Sequence, residues 1–169
     1  TLDGFEPHPA GPMAVLWHNN ETTFNEGERL MANGTDAGTR PANFRKVGIV
    51  GCGFVGSASA FALMQSGLFS EMVLIDVDHD RAEGEALDIA HGMPLASPAS
   101  IYAGDYSDIA DAGIVIITAG ANQKPGETRL DLVSKNVNIF KSIVPQITGS
   151  GFNGILLVVS NPVDILTYV

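Results

Sequence analysis

The sequence holds a single cysteine, Cys52, in 169 residues. An intrachain disulfide is excluded, which suits a reducing compartment. Cations are scarce as well: nine Lys and Arg stand against nineteen Asp and Glu, for a net charge of −10. Gripping a nucleic-acid backbone needs clustered Lys and Arg, so nucleic acid is not expected as a partner. A dinucleotide stays open, because backbone N–H groups hold a pyrophosphate without net positive charge. Long apolar runs are missing too. Segments such as 113–118 and 155–159 fall far short of the roughly 20 residues that span a bilayer. No basic stretch followed by an apolar one opens the chain, so no signal peptide is expected. These absences together predict a cytoplasmic protein with neither membrane nor nucleic-acid partner.

What is present divides near Phe44. Residues 1–43 are rich in Gly, Pro, Asn, Thr and acids and lack a sustained period of 2 or 3.6, which predicts a disordered lead. The apolar piece at 13–17 is too small to make a core. Glu26-Gly27-Glu28 is encodable by a purine-rich stretch resembling a ribosome-binding site, at a sensible distance before Met31. Residues 1–30 are therefore expected to be translated upstream sequence, which the underlying codons would test.

From Lys46 onward the pattern is regular, and 45% hydrophobic content suffices for one core. Short apolar runs at 46–50, 72–75, 100–103, 113–118 and 155–159 read as strands. Helices are expected at 54–65, with Phe54, Ala58, Phe61 and Ala62 on one face, and at 80–91, with Asp80 at its N-cap or in its first turn. Another is expected from 129 to about 147, where Pro145 kinks or ends it, and one more from 163. Continuous apolar strands alternating with helices predict an α/β fold: a Rossmann-type, doubly wound parallel sheet with helices on both faces, spanning 44–169. The chain stops inside the apolar segment 165–169 without a breaking signal, which predicts a truncated domain.

The first strand runs into Gly51-Cys52-Gly53-Phe54-Val55-Gly56, a G-x-G-x-x-G placed between a strand and a helix. In that setting Gly51 allows a tight turn, Gly53 lets a pyrophosphate approach the backbone, and Gly56 lets the helix pack closely. Asp76 follows the second strand, 20 residues past Gly56, where a carboxylate meets the adenosine ribose. It would repel a 2′-phosphate, which favours NAD over NADP. A glycine turn with no ligand, and FAD or another nucleotide, remain alternatives at this point.

The fourth strand is followed by a Gly- and Pro-containing loop from Thr118 to Arg129, and the fifth by Ser160-Asn161-Pro162-Val163-Asp164. Both leave carboxyl ends of strands, where open α/β sheets bind ligands. A solvated loop with an ordinary surface Arg, and a simple Asx turn, are the plainer readings.

Taken together, Gly51–Gly56, Leu74-Ile75-Asp76-Val77, Asp88-Ile89-Ala90-His91-Gly92, Gly104-Asp105-Tyr106, residues 118–136 and residues 160–164 resemble the L-lactate dehydrogenases of the lactate/malate dehydrogenase family, bacterial members most of all. Residues 1–43 share nothing with it. The resemblance implies NAD as cofactor, with Gly51, Gly53, Val55, Gly56, Asp76, Arg81, Tyr106, Gly120, Ala121, Ser142, Val159, Ser160 and Asn161 lining its site. Arg81 departs mildly from the Lys often found there and keeps the charge. Gln123, Arg129, Asn161 and Asp164 would serve the substrate. Arg129 would descend with its loop and polarise the substrate ketone, stabilising charge that grows as hydride arrives.

Gln123 occupies the position where malate dehydrogenases place Arg to pair with the second carboxylate of oxaloacetate. A neutral Gln would leave that carboxylate unpaired, at roughly 2–5 kcal/mol, so pyruvate and (S)-lactate are the expected pair. A malate dehydrogenase fragment and a non-catalytic NAD-binding module are the alternatives. The family's proton-donor His and the Arg that clamps the substrate carboxylate belong to its second half, so the C-terminal catalytic domain is expected to be absent here. His8, His18, His79 and His91 are not substitutes, and the 169 residues alone are expected to be inactive. The family also implies a homotetrameric parent and a place at the end of glycolysis.

Overall fold

The computed structural model describes residues 14–16, 41–123 and 126–168. Its elements in chain order are β1 (Ala14–Leu16), β2 (Asn43–Val50), α1 (Phe54–Ser66), β3 (Glu71–Ile75), α2 (His79–His91), β4 (Ser100–Ala103), β5 (Ala112–Ile117), α3 (Arg129–Gly149), β6 (Ile155–Val158) and α4 (Val163–Leu166). Short 3₁₀ turns at Met93–Leu95 and Tyr106–Ile109 flank β4.

One sheet runs in the order β1-β6-β5-β2-β3-β4. The five strands β2 to β6 are parallel. The chain winds outward from β2 through β3 to β4, crosses back to β5 beside β2, and winds the other way to β6. The reversal leaves a crevice between the carboxyl ends of β2 and β5.

Side chains alternate across the pleat, so each strand feeds two cores. Val47, Ile49, Met72, Leu74 and Ile116 face one way, where Ala60 and Met64 of α1 and Ala82, Ala86 and Ile89 of α2 cover them. Val50, Val73, Ile75, Val115, Ile117 and Val158 face the other, under Phe140, Ile143 and Ile147 of α3 and Leu166 of α4. Burial on both faces is why these strands read as unbroken apolar runs rather than alternating ones.

Three expectations change. The residues 54, 58, 61 and 62 do share a face of α1, but it is the exposed one. The helix turns Gly56, Ala60 and Met64 inward instead, because small residues let it lie close on the sheet. Pro145 lies inside α3 and does not end it, and the helix continues to Gly149. Within the span read as a disordered lead, Ala14–Leu16 pairs antiparallel with β6 in the register Ala14↔Val158. A sheet edge offers unpaired N–H and C=O groups, and a short apolar segment is enough to take them up. The rest of the lead, including His8, His18 and Met31, lies outside the described residues apart from 41–43. Asp78, not Asp80, caps α2, and Asp80 lies in the first turn.

At the amino ends of the strands, Lys46 is buried between Glu71 at 3.0 Å and Asp111 at 2.9 Å. The Tyr102 hydroxyl donates to the same Glu71 oxygen at 2.7 Å. Burial alone would lower the Lys46 pKa, but the bonds to Asp111 and Glu71 outweigh it and hold the ammonium well above its ordinary value. This network pins β2, β3 and β5 at the end remote from the crevice. No helix among the described residues is long and apolar enough to cross a membrane.

Candidate cofactor and substrate site

The glycine loop is shaped by contacts that leave no room for side chains. Gly51 has φ +103°, and a Cβ there would meet the Ala119 backbone at 2.5 Å. A Cβ on Gly56 would run into the Gly51 carbonyl oxygen, and would also meet Thr118 Oγ1 at 2.8 Å. Gly53 is different: a Cβ there would meet nothing within 4 Å. It is exposed and begins α1 with no side-chain cap and no acid in the first turn. The first amides of a helix lack intrahelical acceptors, so α1 presents open donors and the positive end of its dipole to the crevice. The loop is closed on the protein side and open on the other, a shape that fits a phosphate group.

Asp76 follows β3 and faces the loop. One carboxylate oxygen accepts from the Cys52 amide at 2.6 Å and the other from the Asp78 amide at 3.0 Å. Cys52 is buried, its thiol pushed up to about 12 by burial and then by Asp76 and Glu85, with Arg81 opposing. Arg81 therefore acts in the same electrostatic neighbourhood as Asp76. Half-buried Tyr106 is also raised, first by burial and then by the charge of Asp76. Cys52 and Tyr106 thus both feel the charge of one carboxylate, Asp76.

The other wall of the crevice comes from β5. Thr118 Oγ1 donates to the Gly51 carbonyl at 2.6 Å, tying the two loops together. Buried Ser160 donates to Ala119 O at 2.7 Å. Val159 is half-buried behind it, and Gly120 and Asn161 are exposed. Asn136, 3% exposed on α3, accepts from the Ala121 amide and donates to the Asn161 carbonyl, each at 2.8 Å.

Arg129 opens α3 and lines a shallow, solvent-open cleft with Leu132, Val133, Asn161 and Pro162. The helix start is fixed by a capping box: Asp131 N donates to Thr128 Oγ1 at 3.2 Å, and Asp131 accepts from the Thr128 amide at 3.1 Å. The Thr128 hydroxyl, which donates to the Asp131 carboxylate at 2.6 Å, and then the Thr128 amide hold the Asp131 carboxyl below its ordinary value. Arg129 and Asn161 are thus brought together. Gln123 is not among the residues lining this cleft; its amide donates to Glu127 O at 2.8 Å within the loop. Asp164 lies exposed in the first turn of α4. Ser142 lies exposed further along α3 and donates to Ile139 O, with no described bond to the loop cluster. His79 and His91, at the two ends of α2, are exposed and do not line the cleft.

Thr118 and Asn136 received no individual role from the sequence. Asn136 did carry a signal. It is the first member of the buried stripe 136, 140, 143, 147 on α3, and a polar residue in an apolar stripe needs a partner.

The family described as lactate/malate dehydrogenase, NAD binding domain, matches residues 45–169. An L-lactate dehydrogenase of Priestia megaterium is 62% identical over 125 residues, 74% of this chain and 39% of that protein. The crystal structure of a minor L-lactate dehydrogenase from Enterococcus mundtii superposes with a TM-score of 0.71 at 52% identity, over 78% of this chain and 41% of that one. A malate dehydrogenase of Archaeoglobus fulgidus, in complex with NADH, gives a TM-score of 0.68 at 42% identity, over 73% and 42% of the two chains. The chain thus spans about two-fifths of the length of the proteins it matches.

Proposed function

The chain belongs to the lactate/malate dehydrogenase family as its NAD-binding domain, and on that premise we propose that it is the NAD-binding half of an L-lactate dehydrogenase interconverting (S)-lactate and pyruvate. The observation that carries the cofactor part is the open cradle at Gly53 beside Asp76. The observation that carries the substrate part is the meeting of Arg129 and Asn161 in one cleft.

NAD supplies a hydride acceptor and, reduced, a hydride donor. The start of α1 takes its pyrophosphate, and Asp76 takes the adenosine ribose through lone pairs not used by the Cys52 and Asp78 amides. Arg81 and Tyr106 flank that end. Gly120, Ala121, Val159, Ser160 and Asn161 serve the nicotinamide end, and Val55 and Ser142 complete the set. Asn161 orients the substrate by hydrogen bonding. The Arg129 guanidinium stabilises negative charge growing on the substrate carbonyl oxygen as a hydride arrives. Asp164 belongs to the same substrate-side loop. Gln123, carried by the loop before Thr128, leaves a second substrate carboxylate without a cation and so favours pyruvate over oxaloacetate.

None of these residues is a general acid. The 169 residues alone bind cofactor without appreciable pyruvate turnover, because a missing general acid lowers rate by about 10²–10⁴. The working protein is cytoplasmic, homotetrameric and placed at the end of glycolysis. Joining the chain to the C-terminal half of the Priestia megaterium relative tests the reading. The join should oxidise NADH with pyruvate in preference to oxaloacetate; preference for oxaloacetate, or a folded join inert with both, would refute it.

A further inference from the structure

We propose that Asn136 is a positioning residue. Its side-chain amide bridges the loop after β5 to the loop after β6 and so sets the spacing of the two backbones that receive the nicotinamide end of the cofactor. The inference rests on the NAD reading given above.

The parallel ladder between β5 and β6 runs from Ile114↔Ile155 to Ile117↔Val158. Its last backbone rung is Val159 N to Ile117 O at 3.0 Å. Beyond that rung, the described bonds that join the two loops come from side chains. Ser160 Oγ reaches Ala119 O directly. One step further out, α3 inserts Asn136 between Ala121 N and Asn161 O. The bridge therefore lies at the mouth of the crevice, next to exposed Gly120 and Asn161, where a ligand of an open α/β sheet sits.

The Asn136 side chain answers both loops at this place. An Asn side chain offers an acceptor to an amide and a donor to a carbonyl at once. The reversed amide would set N–H against N–H and O against O, so the partners fix its orientation. Asp would keep the bond from Ala121 but turn its second oxygen toward the Asn161 carbonyl. Ala would leave both backbone groups without their partner. The Gly120 backbone lies against the same amide: a Cβ there would be 3.6 Å from Asn136 Oδ1.

The bridge also holds one end of the loop before α3. Ala121 is held by Asn136, and Thr128 by its capping box with Asp131. The residues between them carry Gln123, and Arg129 follows the second anchor. Asn136 thereby sets where Ala121 and Asn161 stand, without touching a ligand itself.

Titration of the 169-residue chain with NADH and, separately, with ADP-ribose tests this. ADP-ribose holds the adenosine and pyrophosphate end and lacks the nicotinamide. In Asn136→Asp and Asn136→Ala, NADH affinity should fall about tenfold while ADP-ribose affinity stays within about twofold, the loss expected from one or two buried hydrogen bonds. Parallel losses of both ligands, or no loss of either, would overturn the bridge and leave the cofactor reading standing. Absence of ADP-ribose binding by the folded wild-type chain would overturn the cofactor reading and this inference with it. A further readout needs no variant: the Ala121 amide of the wild-type chain should exchange with deuterium as slowly as the last amides of β5, and exchange at the rate of an open loop would equally overturn the bridge.

Discussion

The Asp76 carboxylate accepts a 2.6 Å hydrogen bond from the Cys52 amide, so the acid that would meet the ribose also braces the glycine loop that would meet the pyrophosphate. The two halves of the cradle are therefore coupled. Asp76→Asn keeps an acceptor for one of the two amides, turns an N–H group toward the other and removes the charge. NADH binding should weaken about tenfold, the loss of a charge-assisted hydrogen bond, and the preference for NADH over NADPH should shrink. Competitive titration with the two cofactors checks it; an unchanged preference would remove Asp76 from the ribose site.

Gly53 and Gly56 should separate binding from folding. A Cβ on Gly53 enters the open cradle, so Gly53→Ala should leave thermal stability nearly unchanged and lower NADH affinity. A Cβ on Gly56 meets backbone on the inner side of α1, so Gly56→Ala should lower stability by about 1–3 kcal/mol. Thermal melts with and without NADH distinguish the two. Equal destabilisation by both substitutions would contradict the assignment.

The contrast between those glycines also shows what the sequence could and could not reveal. The five parallel strands and three long helices were legible because strands buried on both faces and a glycine loop between strand and helix leave local signatures. The inward face of α1 was not. Its close packing uses Gly56 and Ala60, which hydrophobic periodicity underweights, while Phe54 and Phe61 point outward. The pairing of Ala14–Leu16 with β6 depends on a partner strand more than 130 residues away, and no local window contains it. Of the site, the residues on loops were visible as motifs. The ties between loops, Thr118 to Gly51 and Asn136 to Ala121 and Asn161, are tertiary and emerge only when the strand ends are brought together.

Lys46 gives a prediction at the opposite end of the sheet. Lys46→Met leaves Glu71 and Asp111 facing each other without their cation. Both acids are partly solvated, which limits the loss to about 1–3 kcal/mol, below that for a fully buried broken pair. The lysine pKa is raised in the fold, so its contribution is complete below the ordinary lysine value of about 10.4 and is lost as pH rises above it. Melting curves from pH 8 to about 11 should show wild type losing stability that Lys46→Met never had. Parallel curves would contradict this.

On the proposed reading, Gln123 carries the choice of substrate. In the chain joined to a C-terminal half, Gln123→Arg should move preference from pyruvate toward oxaloacetate by tenfold or more, about 2 kcal/mol for pairing a carboxylate in a closing site. The ratio of kcat/KM for the two acids measures it. No movement would mean that this loop does not face the substrate's variable end.

The most direct test of the central claim is calorimetric titration of the 169-residue chain with NADH, followed by addition of pyruvate. The account predicts saturable one-site binding that is weakened in Gly53→Ala, with no NADH oxidation at dehydrogenase rates. A folded chain that fails to bind NADH, or one that turns over pyruvate rapidly by itself, would contradict it.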